Sequence, residues 1–145
     1  MIRPVTVGDA AAVAALSSEL GYPVSAEAVA ERMERLRGRD DQLVLAAVAD
    51  DGTLVGWIHA ADQDLVESER RCEILGLVVD RRRRRGGIGR RLVAEAERWA
   101  ASRGLRRMSV RSNVTRAESH PFYEAQGYVR LKTQQVYRKA IGGAG

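Results

Sequence analysis

The sequence predicts a mixed α/β (α+β) domain with a mostly antiparallel central sheet. Short β-branched runs flank Asp51-Gly52, a turn signal of the kind that joins antiparallel strands. Apolar residues at three- and four-residue spacing mark amphipathic helices on either side of these strands. The order is strand, two helices, three strands, helix, strand, helix and closing strand, which is not the alternation of a parallel barrel.

In chain order, residues 2–7 read as the first strand. Asp9 can cap a helix running to about residue 20, with Val13, Leu16 and Leu20 on one face, and Gly21-Tyr22-Pro23 stops it. Ser25 opens a second helix to about residue 37, striped by Val29, Met33 and Leu36. Residues 43–49 and 53–61 form the hairpin strands, and an acidic loop, 62–69, leads to a buried apolar strand, 74–79. From Gly87 onward, Ile88, Leu92, Ala96 and Trp99 recur at helical spacing until Gly104. A fifth strand is expected over 107–111 and a helix over 116–125, ended by Gly127; one or two closing strands are expected over 128–139. Residues 1–141 read as a single domain and 142–145 as a flexible tail.

Length and composition narrow the classes. At 145 residues the chain is long enough to bury a sizeable core. It has no apolar stretch of membrane-spanning length and no apolar leader, so a cytoplasmic protein is expected. One cysteine, Cys72, excludes an internal disulfide framework and reads as a small core residue; with only two histidines, no metal site is expected. The formal charge of +5 is concentrated in Arg81–Arg85, Arg90 and Arg91.

That basic cluster coincides with the most informative stretch, where a strand, a glycine-rich turn and a helix follow one another. A helix start exposes N–H groups with no intrahelical acceptor, and glycines let a bulky anion approach them, so the turn suits a phosphate or diphosphate. Arg84, Arg85 and Arg90 can add charge-assisted hydrogen bonds. Neither standard nucleotide motif fits: Gly89 is followed by Arg90 and Arg91 instead of Lys-Ser/Thr, and Leu92 stands where a dinucleotide fingerprint needs its last glycine.

Arg84-x-x-Gly87-x-Gly89, after a hydrophobic strand and opening a helix, resembles the acetyl-CoA signature of the GNAT superfamily of acyl-CoA-dependent N-acyltransferases. Asn113 and the run from His120 through Phe122-Tyr123 to Gly127-Tyr128 resemble the family's second signature, in the expected order and at about the expected distance. The element order from residue 2 to 139 resembles the family layout, and Arg111–Arg116 with His120 and Glu73-Ile74 is similar to small aminoalkylphosphonate and aminoglycoside acetyltransferases. One departure stands out: the loop has Arg84-Arg85-Gly86-Gly87 where the family often has Arg-Gly-Lys/Arg-Gly.

The resemblance implies helices on both sheet faces, fourth and fifth strands that splay apart, and acetyl-CoA as acyl donor in the gap. It implies contacts to the donor from Leu77, Val78 and Val79 of the strand, from Arg84, Arg85, Gly86, Gly87, Ile88, Gly89 and Arg90 of the loop, and from Asn113 and Tyr123. It makes Glu73 the base for direct attack by a primary amine and Tyr123 the group that protonates the leaving sulfur. A regular strand puts Glu73 on the same face as Leu75 and Leu77, and Gly76 could mark a bulge that redirects this parity. The acceptor side is implied to include Tyr22, Glu67, Glu69 and His120, with Asp62, Asp64 and Gln134 nearby. The acidic loop suits a cationic small-molecule or peptide amine, and a homodimer is a family-based expectation. Neither a nucleic acid nor a membrane is expected as a partner. Two other readings stay open: a domain that binds acyl-CoA as a regulatory ligand without catalysis, and a basic nucleic-acid-binding module that lacks the usual stacking aromatics.

Overall fold

The computed structural model describes residues 1–111 and 119–142. They fall into two compact units, Met1–Arg111 and Ser112–Gly145.

In the first unit, β1 (Ile2–Pro4), β2 (Gln42–Val48), β3 (Leu54–Gln63), β4 (Arg71–Val79) and β5 (Met108–Val110) form one sheet in that spatial order. The first three neighbouring pairs are antiparallel, and β4 with β5 is parallel. Helices α1 (Ala10–Glu19) and α2 (Ala26–Leu36) cover one face and α3 (Ile88–Ser102) the other.

Residue choice explains the layering. On the first face, Ala10, Val13 and Ala14 of α1 bury against Val29 of α2, while Leu16 and Leu20 close on Val78. Trp57 pins α1 to β3, since its indole N–H donates to Ser17 Oγ at 3.1 Å. On the opposite face, a Cβ at Gly56 would lie 3.3 Å from Ile88 Cγ2 and 3.4 Å from Leu92 Cδ1, so glycine lets α3 approach β3 closely. Ile58, Leu92, Val93 and Cys72 are fully buried there; each large aliphatic among them contributes roughly 1.5–3 kcal/mol.

Several boundaries differ from the sequence expectation. The first strand ends at Pro4 because Thr6 begins a 3₁₀ turn, Val7–Asp9. Asp9 makes no side-chain cap to α1; its carboxylate accepts from Arg3 at 2.8 and 2.9 Å and from the Thr6 N–H at 2.8 Å. These bonds, Arg3 first, hold its pKa down at about 2. Asp62 and Gln63 extend β3 and are not loop residues. The arginine run forms a 3₁₀ turn, Arg81–Gly86, because Asp80 accepts from the Arg82 N–H and clamps its guanidinium at 3.2 Å.

In the second unit, α4 (Ser119–Glu124) leads into the turn at Gly127, and Tyr123 packs edge-on against Phe122 and Tyr128, with centroids 5.0 and 5.8 Å away. The closing strands expected over 128–139 do not form: the segment carries no strand within the single chain. A strand needs a neighbour for its backbone groups, and sequence pattern alone does not supply one.

Candidate active site

The site is organised by an irregularity in β4. Ile74 pairs with Ala60 and Gly76 with His59, so Leu75 is an extra residue, a β-bulge. Gly76 follows it for a steric reason: a Cβ there would sit 2.8 Å from two carbons of the Trp57 ring. The bulge corrects a simple parity argument. Glu73 does not share a face with Leu77; it lies opposite Ala61 on the face covered elsewhere by α1 and α2.

There Glu73 is only 6% exposed, not a solvated strand end. Its Oε1 accepts from Ser109 Oγ at 3.4 Å and lies 3.6 Å from Arg71 Nη2. Arg71 also donates to Ser68 Oγ at 3.0 Å, and its buried Nε has no hydrogen-bond partner among the described residues. His59 is on the same sheet face, its ring Nε2 2.7 Å from Gln42 Oε1; burial lowers its pKa, which favours neutral imidazole at pH 7. Arg71 and Ser109 were missed in the sequence. Arg71 had a readable signal, two residues before Glu73 in one strand, whereas Ser109 depends on the β4–β5 register.

Past the bulge, β4 is paired on one side only among the described residues. The β5 ladder ends at Ile74↔Val110. Asp80 N–H donates to Val55 O at 2.9 Å. Ladder alternation then turns the amides of Gly76 and Val78 toward β3 and those of Leu77 and Val79 outward. Val78 therefore offers the opening neither its amide nor its side chain, which is buried with Leu16 and Leu20.

The strand delivers the chain to the loop. Gly87 has φ +74°, a left-handed conformation suited to glycine, and caps α3 without a side-chain acceptor. By helix geometry the N–H groups of Ile88, Gly89 and Arg90 are left for an outside acceptor. A Cβ at Gly86 or Gly87 would meet nothing within 4 Å, so the space over the loop is open. Arg84 and Arg90 are exposed, whereas Ile88 and Gly89 are buried and can contribute backbone alone. These features fit the diphosphate of a coenzyme.

The remaining sequence candidates separate. Asp62 lies on the α3 face, its side chain buried, and is committed to Arg70 at 2.6 and 2.8 Å and to Arg103 at 2.9 Å. Those guanidinium bonds, Arg70 first, lower its pKa, so it is a structural carboxylate. Glu67 and Glu69 are exposed, Glu69 being 3.8 Å from Arg107, and Tyr22 is half-exposed between α1 and α2. Tyr123 and His120 belong to the second unit, and Asn113 lies outside the described residues. Cys72 is fully buried, and desolvation first, then Asp62 and Glu73, pushes its thiol up to about 11. Among the described residues no cluster of His, Cys, Asp or Glu could hold a metal, and no helix is long and apolar enough to cross a membrane.

The chain is similar to several known acetyltransferases. Aminoglycoside N(6')-acetyltransferase type 1 of Klebsiella aerogenes is 29% identical over 148 residues, covering 97% of each chain. The crystal structure of aminoglycoside antibiotic 6'-N-acetyltransferase AAC(6')-Ih from Acinetobacter baumannii superposes with a TM-score of 0.84 at 22% identity, covering 98% of this chain and 99% of that one. AAC(6')-Iy, solved with the bisubstrate analog CoA-S-monomethyl-acetylneamine, gives 0.84 at 23% identity, covering 97% and 98%. The profile of the acetyltransferase (GNAT) family matches residues 11–128. The chain belongs to the acetyltransferase (GNAT) family and is an acetyl-CoA-dependent N-acetyltransferase.

Proposed function

We propose that the acceptor is a primary amine on a polycationic small molecule of the aminoglycoside kind, with Glu73 as base and Tyr123 as acid. The observation that carries the reading is a buried carboxylate, held by Arg71 and Ser109 through one oxygen, at the point where β4 loses its outer partner. The 29% identity over nearly the whole of an aminoglycoside N(6')-acetyltransferase supports the acceptor class. The exposed carboxylates Glu67 and Glu69 would attract its charge, and Tyr22 and His120 belong to the acceptor side by family resemblance.

An amine with a pKa near ~10.4 is deprotonated in about one molecule in a few thousand at neutral pH, so a base helps. Among the described residues the contacts of Glu73 converge on Oε1, so Oε2 would receive the amine proton directly or through a water. The amine nitrogen then forms a bond to the acetyl carbon as the carbon–sulfur bond breaks. The outward amides of Leu77 and Val79 can donate to the carbonyl oxygen as negative charge builds on it. Tyr123 gives its phenolic proton to the departing thiolate and regains one from solvent, to which the acetylated nitrogen loses its second proton. Acetyl-CoA supplies the activated acetyl group. Its phosphates would be held by the α3 first turn with Arg84, Arg85 and Arg90 and, by resemblance, Asn113.

The test is thiol release from acetyl-CoA across aminoglycosides, linear polyamines and basic peptides. Turnover confined to aminosugars supports the acceptor class, and a preference for peptides overturns it. Saturable CoA binding without turnover on any amine would favour the regulatory reading instead.

A further inference from the structure

Gly56 lets α3 settle onto β3, and the strands beyond β3 do not fill the space beside the helix. In register with Gly56 stand Ala47 of β2, which is small, and Ile2 of β1, the first strand of the sheet order. A crevice of about 240 Å³ lies between the first turn of α3 and these outer strands. Ile2, Val48, Val55 and Ile88 give it an apolar floor. Its rim carries two guanidiniums, Arg83 and Arg91, against one carboxylate, Asp50.

This is not the coenzyme loop seen again. Neither Arg84 nor Arg90 lines the crevice, whereas Arg91, about 100° further round the helix than Arg90, does. Arg82 is spent on Asp80 and Glu19, but among the described residues no side-chain hydrogen bond or ion pair holds Arg83 or Arg91. Asp51 and Asp80 are near enough to feel the Arg83 charge, yet Asp51 is engaged by the Thr53 N–H and Asp80 by Arg82. The first turn of α3 offers Arg91 no carboxylate either. An anion in the crevice would supply the missing charge.

The geometry points to a second anion site: the crevice takes a small organic acid, a carboxylate or phosphate ester on a short apolar chain. Arg83 and Arg91 hold the charged end, and Ile2, Val48 and Val55 cover the chain. The volume lies just below that of drug-sized sites, which limits the occupant to a few carbons. Ile88 ties this site to the coenzyme, because its side chain is part of the floor while its N–H belongs to the turn that would hold the diphosphate. An occupant that fixes Ile88 changes coenzyme affinity, and the coenzyme changes the occupant's affinity by the same factor. The inference rests on the diphosphate lying at α3 and on nothing about the acceptor or Glu73.

The experiment titrates hexanoate and butyl phosphate into the CoA-saturated full chain, where the diphosphate turn is already filled, and follows methyl NMR signals. Saturable shifts at Ile2, Val48, Val55 and Ile88 are expected, and the tighter of the two acids tells a carboxylate from a phosphate ester. Hexylamine has the chain without the negative charge, and inorganic phosphate the charge without the chain; neither should bind comparably. Arg83→Gln with Arg91→Gln, both exposed positions, should weaken binding by about tenfold or more, with circular dichroism to check folding. Asp50→Asn removes the opposing carboxylate and should tighten it. The Kd for CoA should differ by about fivefold or more with and without saturating acid, and this difference should vanish in the arginine double variant. Absence of saturable shifts, an equal response to hexylamine or inorganic phosphate, or binding that survives the double substitution would overturn the site. An unchanged Kd for CoA would overturn its link to the coenzyme.

Discussion

Among the described residues, β4 has a partner on each side before Leu75 and β3 alone after it. The first half is closed and ionic, with Cys72 fully buried and Glu73 held between Arg71 and Ser109. The second half keeps its inner ladder but turns two amides outward at Leu77 and Val79. One inserted residue thus places a fixed carboxylate and a pair of donors turned away from β3 on one strand, on different sides of a bend. Rigidity comes from the doubly paired half and access from the singly paired half.

Removing the charge at Glu73 tests the closed half most directly. Glu73→Gln should lower kcat by ~10²–10⁴-fold with the Kd for CoA unchanged, if the carboxylate takes a proton in the rate-limiting step. A wild-type kcat in that variant would leave Glu73 as a packing residue. At the junction, Gly76→Val must displace the Trp57 ring from a 2.8 Å approach, and roughly 1–3 kcal/mol of stability should be lost in urea titration. An unchanged midpoint would mean that the ring moves freely and does not fix the bulge. Arg71→Met keeps most of the side chain's bulk and removes the cation beside Glu73. A drop in kcat of about tenfold, again without loss of CoA affinity, is expected for a residue that only positions the base. The smallest effect is a null result. Because its thiol is buried and raised to about 11, Cys72 should react with a thiol reagent only as fast as the chain unfolds. Fast labelling of the native protein would show the first half to be open.

The elements nearest the site were also the easiest to read. The strand from Ile74, the paired glycines and the amphipathic α3 announce themselves through local pattern, and the element order carried the fold class with it. The loop needed correction in detail, since Asp80 winds the arginines into a 3₁₀ turn that composition does not reveal. The charged residues were harder. Asp62 and Glu73 are both carboxylates near the ends of adjacent strands, yet one is locked to Arg70 and Arg103 on the α3 face and the other faces the opposite way. Their separation depends on strand parity, and parity before and after Leu75 differs.

By itself, then, the sequence determined the order of the helices and strands up to α3, that an anion-binding turn opens α3, and that a glutamate stands at the start of the preceding strand. These properties reside in neighbouring residues, through side-chain periodicity and backbone freedom at Gly87. Only the tertiary structure decided which face Glu73 occupies, that Ser109 and Arg71 hold it, and which amides of β4 turn away from β3. Those depend on register between strands far apart in the chain, where a shift of one residue exchanges the two faces of the sheet.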